Sequence, residues 1–469
     1  MLTMIPAEAY QDPIVTQKIG PVRWHVLSSP EAFKHVFSEQ MANYPKAPIM
    51  RRMLGPYLGR SLFMAEGQDW KAQRQALGPA FRPAAVQTMA TAMLRVANDT
   101  ADRIGRLGED GFSVPISFQM RVLAMDMVRH TMFNGLAEAV QIRRGSHEDP
   151  DPDELGAYRA DLQSDLDGFL QDFGRPGIAE LLNLPSWMTP WRYLKSPPTA
   201  EARSLIDRLV AERRTSAQAE GDMLDVLLGL KMPGTGRPLS DVEIRDNLLT
   251  FIVTGSDTTA LALTWSIYVL TQLPEWASLL RQEADAAVAD ANLTKADALP
   301  LTRAFLDEVL RLFPSAPLLV RKARSADRIC GADVRKGDLI LAPIYTLHRH
   351  PKVWDDPLLF DPGRFVDPKS KAGHRYLPFG AGPKSCIGAG FALMEARIAL
   401  ATFVRHLDFE LQRGWDVQPL LMLTLKPDGG LPAIIKRRWY GCTITKDRHN
   451  PTPKRTNRQS AAHPVDEAV

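Results

Sequence analysis

The chain has 469 residues, of which 24% are charged and 45% hydrophobic, and 57 Lys plus Arg stand against 54 Asp plus Glu for a formal charge of +3. This balance excludes an acidic tail protein and gives no electrostatic case for a nucleic-acid binder, while 31 glycines and 36 prolines without a fixed period exclude collagen-like and low-complexity classes. Cys330, Cys386 and Cys442 are odd in number and far apart, so neither a disulfide framework nor a zinc site is expected, and a reducing intracellular setting is the default.

Residues 1–14 contain Glu8 and Asp12 and lack a basic segment followed by a long apolar one, so neither a signal peptide nor a membrane anchor is expected. Ile14 to Leu27 reads as extended or as a hairpin around Gly20-Pro21. From Gly67 to about Lys322 apolar residues recur at three- and four-residue spacing, as in Val122 to Met132 and Ala202 to Arg214, and predict helices. Gly174 to Pro198 carries five prolines with Leu182, Leu184, Trp187, Met188 and Trp191; an access lid and a packed surface loop both fit it.

Asn247 to Pro274 is apolar and long enough for a membrane span of about 20 residues. Asp257 sits in its middle among TGSDTT, however, and an acid is costly in hydrocarbon. A long helix buried through the centre of a globular protein is the expectation. Further on, Asp338 to Leu341 follows a Lys336-Gly337 turn signal, and Leu420 to Leu425 with Ala433 to Ile435 flank Pro427 to Gly430 as a second hairpin. Residues 447–469 are polar with few apolar side chains and predict a disordered tail. The fold class is mainly α with small β-sheets (α+β), as one domain over residues 1–446.

Cys386 lies in Phe379-Gly380-Ala381-Gly382-Pro383-Lys384-Ser385-Cys386-Ile387-Gly388, a glycine-framed loop that leads into a helix from Ala389 to His406. A sulfur at a helix N-terminus is placed to be a thiolate, since backbone N–H groups and the dipole favour the anion. A lone cysteine is otherwise an inert buried hydrophobe. With no histidine and acid arranged nearby for nucleophilic catalysis, a metal-ligand role leads.

This loop resembles the haem-ligand loop of the cytochrome P-450 superfamily, Phe-x-x-Gly-x-[Arg/His]-x-Cys-x-Gly, with four of five constrained positions in agreement. The departure is Lys384, which stands where the family has Arg or His. Other segments resemble family motifs in the expected order. Glu308-Val309-Leu310-Arg311 is similar to the Glu-x-x-Arg pair, and Asp361-Pro362-Gly363-Arg364-Phe365 to the segment whose arginine joins it; by resemblance Glu308, Arg311 and Arg364 form a buried network that holds the ligand loop. Trp70 and Arg74 resemble Trp-x-x-x-Arg. Together with Arg321, Lys384 and the loop residues Phe379 and Gly388, they are implied to bind the cofactor, their donors facing the haem propionates.

Thr254-Gly255-Ser256-Asp257-Thr258-Thr259 resembles the oxygen-activation motif of the family's long central helix. Gly255 is expected to let that helix pass close to the haem and distort locally, and Thr258 to turn its hydroxyl to the Thr254 carbonyl. Asp257 and Thr258 are then the catalytic pair, managing the protons consumed in O–O cleavage while the Cys386 thiolate donates electron density. The haem would lie between this helix and the one after the cysteine loop.

The resemblance implies haem b as cofactor, O2 as co-substrate and hydroxylation of a small hydrophobic molecule. Terpenoid, fatty-acid-like and aromatic substrates all fit, with a lean to terpenoid, and Phe251, Val253, Thr254, Leu318, Leu319 and Met422 are expected to line the pocket. It also implies a soluble, cytoplasmic, bacterial-type member without a fused reductase, taking electrons from a ferredoxin and an NAD(P)H-dependent ferredoxin reductase. Lys71, Arg74, Arg82, Lys384 and Arg397 are expected near the cysteine side, either as a basic docking face or as ordinary solvated surface. A peroxide-driven or isomerising haem-thiolate enzyme and, less favoured, a non-enzymatic haem sensor or electron carrier are the alternatives.

Overall fold

The computed structural model describes residues 5–19, 22–132, 200–216, 221–295, 297–367 and 373–438. The proline-rich stretch 174–198, the tail 447–469, the Gly20-Pro21 turn and Cys442 lie outside the described residues. Helices of eight residues or more are α1 (Pro48–Leu58), α2 (Gly67–Leu77), α3 (Ala90–Leu107), α4 (Ile116–Met132), α5 (Ala200–Thr215), α6 (Asp241–Gln272), α7 (Pro274–Ala289), α8 (Pro300–Leu312) and α9 (Ala389–His406). Strands are short: β1 (Ile14–Ile19), β2 (Val22–Leu27), β3 (Val114–Pro115), β4 (Leu318–Lys322), β5 (Asp327–Ile329), β6 (Ala332–Val334), β7 (Leu339–Pro343), β8 (Leu407–Leu411), β9 (Pro419–Leu421), β10 (Leu425–Pro427) and β11 (Pro432–Arg437). The expected α+β class with dominant helix holds.

Helix α6 is the axis of the molecule, 32 residues long and hence about 48 Å at 1.5 Å per residue. A capping box starts it: the Ser240 hydroxyl accepts from Glu243 N while the Glu243 carboxylate accepts from Ser240 N. Its later part is buried all round. Thr264 and Ser266 donate their hydroxyls to the carbonyls of Ala260 and Ala262 at 2.7 Å, so these two side chains carry no unmet donor into the core. The Trp265 indole stacks on Phe313 at 4.2 Å and donates Nε1 to the Leu425 carbonyl at 2.9 Å. Among the described residues no helix is long and apolar enough to cross a membrane.

The first hairpin forms as expected, with Ile14 opposite Leu27 and Ile19 opposite Val22. It joins a four-stranded sheet in the order β1-β2-β7-β4, where β7 runs parallel to β2 and antiparallel to β4. The second predicted hairpin is corrected. Leu421 pairs with Leu425 in a tight β9–β10 hairpin of its own, whereas β11 turns away after Gly429 and Gly430, both at positive φ, to pair with β8 and β3. Strand β8 leaves α9 without a break at Leu407, so its partner is chosen by where α9 ends rather than by neighbours in sequence.

One buried network ties α8 to the chain ahead of the cysteine loop. Arg311 donates Nε and Nη2 to Glu308 at 2.7 and 2.8 Å, and its remaining hydrogens go to the carbonyls of His348, Pro357 and Leu359 at 2.8, 2.5 and 3.0 Å. Glu308 also accepts from Asp361 N at 2.8 Å, and Arg364 lies 3.6 Å from it while binding the carbonyls of Asp355 and Asp356. Buried His348 accepts from Leu377 N at 2.8 Å through Nε2, and its Nδ1 faces the Arg311 carbonyl at 3.1 Å.

Truncating Arg311 to Met strands a buried carboxylate and should cost roughly 3 to 5 kcal/mol, read as a lowered denaturant midpoint at unchanged slope. Burial pushes His348 down to about 3 from 6.5. The unfolded chain therefore binds more protons across that window, so stability is present above pH 6.5 and is lost as pH falls toward 3. A His348→Asn variant should show a shallower loss of thermal midpoint between pH 6.5 and 4 than the parent.

Candidate active site around Cys386

The cysteine loop is held on three sides. Cys386 N donates to the Phe379 carbonyl at 2.8 Å, and the Phe379 ring packs on Ala262 of α6, Leu310 of α8 and Leu393 of α9. Gly382 has φ +66°, and a Cβ there would overlap the Phe37 carbonyl oxygen, so glycine is required both by backbone conformation and by close approach. Gly388 is the N-cap residue of α9, which begins at Ala389 as the sequence implied.

Cys386 is deeply enclosed by protein and yet its surface is accessible, the situation of a side chain on the wall of an internal cleft. Burial pushes its thiol above the ordinary value, although the Gly388 N–H and the Arg74 charge pull it down. Enclosure thus opposes the anion that helix position alone favours, and a cation bound at the sulfur would offset that cost. Among the described residues no group of three or more His, Cys, Asp or Glu could hold a metal ion.

The cations predicted to face that group are brought together. Trp70 is buried with Lys384 Nζ 5.5 Å from its ring, Arg74 acts on Cys386, and the Arg321 guanidinium lies 4.8 Å from the Phe37 ring, pushed down to about 10 by burial despite Glu66. Two members of the cluster were not legible in the motifs. Lys46, bridged to Arg321 through the backbone, donates Nζ to the Phe63 carbonyl and is pushed down to about 7, chiefly by burial. Glu66 accepts from Lys384 Nζ and from Lys46 N. Burial raises Glu66, but those two hydrogen bonds and the lysine charges outweigh it and hold the carboxyl low. Lys46 and Arg321 are 275 positions apart in sequence, so no spacing rule could pair them. An excess of buried positive charge over carboxylate beside an exposed sulfur suits a dianionic, iron-holding cofactor.

On α6 the Thr258 hydroxyl donates to the Thr254 carbonyl at 2.8 Å, as expected, and Thr254 repeats the pattern to Thr250 at 2.7 Å. The helix runs unbroken through Gly255, and these hydroxyls share carbonyls with the helix ladder. A Cβ at Gly255 would meet only Val128, at an ordinary 3.7 Å, so protein packing does not demand glycine there. Ser315, which no motif singled out, donates to the Thr258 carbonyl at 2.8 Å and ties the α8–β4 connection to this turn. Asp257 and Thr258 are both half-buried.

The expected pocket residues divide. Phe251 and Val253 belong to the main core, and the Phe251 ring meets Phe81 edge-on at 5.1 Å. Leu318 and Leu319 are consecutive in β4 and point to opposite faces; Leu319 packs with the smaller core beneath the four-stranded sheet. Thr254 and Met422 are half-buried, Met422 in the turn between β9 and β10. The basic face is also corrected. Arg397 is buried and donates to the Leu393 carbonyl, and Lys384 is engaged with Glu66, which leaves Lys71 and Arg82 exposed and Arg74 half-buried.

Comparison with known proteins agrees with this geometry. The family model described as Cytochrome P450 matches residues 4–431. The chain is 31% identical over 418 residues to the cyclooctat-9-en-7-ol 5-monooxygenase of Streptomyces melanosporofaciens, covering 88% of this chain and 84% of that one, and 30% identical over 393 residues to a cytokinin hydroxylase of Arabidopsis thaliana, covering 81% and 73%. The crystal structure of a cytochrome P450, CYP102L1, superposes with a TM-score of 0.75 at 24% identity over 92% of this chain and 93% of that one, and shares the fold. With the family model matched over nearly the whole chain and relatives at 30% identity or more, the chain belongs to the cytochrome P450 family and is a haem-thiolate monooxygenase.

Proposed function

We propose that this monooxygenase hydroxylates a small hydrophobic substrate, using haem b ligated by Cys386 and electrons from a ferredoxin served by an NAD(P)H-dependent reductase. The observation that carries the reading is the enclosed but accessible sulfur of Cys386 set beside a cluster of buried cations. Bound haem supplies the reductive activation of O2, and the balance is substrate, O2, two electrons and two protons giving hydroxylated substrate and water.

The chain's own residues do the rest. Trp70, Arg74, Arg321 and Lys46 supply donors and charge for the two propionates. Phe379, Gly382 and Gly388 hold the loop so that the sulfur points into the cleft. Thr258 keeps its hydroxyl proton on the Thr254 carbonyl and so presents its oxygen lone pairs as an acceptor, while half-buried Asp257 carries protons inward from solvent. Thr254, Leu318 and Met422 shape the substrate side. The lean to a terpenoid is supported by the Streptomyces relative, whose named substrate is cyclooctat-9-en-7-ol. Free Cys330 and Cys386 fit a cytoplasmic, reducing setting.

In the carbon monoxide difference spectrum of the reduced protein the red-shifted Soret band of thiolate ligation is expected, and Cys386→Ser should abolish it; an unshifted band in the parent would refute thiolate ligation. Asp257→Asn and Thr258→Ala should each keep that band yet lower product formed per NAD(P)H oxidised by about tenfold or more, measured with a surrogate ferredoxin and reductase. Full coupling in both variants would remove the proton-handling role.

A further inference from the structure

Lys384 stands where the family's pattern places a propionate-binding Arg or His, and the structure gives its ammonium a different partner. Its Nζ meets Glu66 Oε2, with side-chain exposures of only 9% and 20%. The same carboxylate accepts Lys46 N through Oε1 at 3.1 Å, and the segment before Lys46 is stitched to β4 by Lys322 N to the Pro45 carbonyl at 3.1 Å. Glu66 is moreover the residue on which α2 begins, four positions before Trp70, with no side-chain bond to its own helix. One carboxylate therefore touches three elements: the cysteine loop, the start of α2 and the strand-like segment at Lys46.

We propose that Glu66 is a resident counter-ion that latches Lys384 of the cysteine loop to α2, so that Lys384 braces the loop instead of gripping haem and Lys46 takes over its share of the propionate charge. This rests on the haem reading above. A lysine suits a latch to one carboxylate because it is a compact point charge without the bidentate fork that favours Arg at a propionate. Lys46 lies within the field of Lys384 and Arg321, a cluster in which an added anion is stabilised. A pair so enclosed is also only weakly screened by solvent.

The test is the rate of haem transfer from the loaded protein to excess apomyoglobin, for Glu66→Gln, Lys384→Met, the double variant and Lys46→Met. A latch predicts that Glu66→Gln and Lys384→Met each speed haem loss by a similar factor, about fivefold, and that the double variant is no faster than either. Lys46→Met should speed loss by its own factor, multiplying that of Glu66→Gln. Far-UV circular dichroism of each variant, unchanged from the parent, guards against simple misfolding of the single variants. Slower loss in Glu66→Gln, or multiplicative factors for Glu66→Gln and Lys384→Met, would each overturn the latch while leaving the haem reading intact. A parent that takes up no haem would overturn both.

Discussion

Arg311 and Glu308 are completely buried, and two charges that far from water are tolerable only when their hydrogen-bonding capacity is met. A guanidinium has five N–H donors, and here all five are used, two on Glu308 and three on backbone carbonyls from His348, Pro357 and Leu359. That saturation pins three points of the irregular chain between β7 and the cysteine loop to helix α8. His348, neutral because it is buried, adds a fourth through Leu377 N, only two residues before Phe379. The cysteine loop consequently inherits its position from α8, although it shares no hydrogen bond with Glu308 or Arg311.

The electrostatics around the sulfur follow the opposite logic. The network at α8 is closed, with each charge answered. The cluster at Lys46, Arg321, Lys384 and Arg74 is open, with Glu66 as the carboxylate that answers part of it. Burial pushes Lys46 and Arg321 down and the Cys386 thiol up, which means that each of these groups resists its charged form in the free chain. A single ligand carrying two carboxylates and a metal cation relieves all of these costs together. Haem is such a ligand.

Function at the other face depends on something softer. Threonine hydroxyls along α6 bond back to the carbonyls four residues earlier without breaking the helix, so the helix remains continuous through the turn that carries Asp257 and Thr258. Ser315 fixes that turn from outside.

Much of this was legible in the chain itself. Asp257 in the middle of an apolar run pointed to a buried helix and not a membrane span, and the glycine-framed Cys386 marked a ligand loop, because each is a local conflict that only one environment resolves. Glu308 and Arg311 are three residues apart on one helix, so their pairing too was local. What the sequence could not show were partners brought together from far apart: Lys46 with Arg321, Glu66 with Lys384, β11 with β8 rather than with the strand before it. Nor could it show that Arg397 is buried or that Leu318 and Leu319 face different sides. Helix, turn and motif depend on neighbours within a few positions, which sequence determines by itself; which buried charges answer one another depends on packing, and only the tertiary structure decides it.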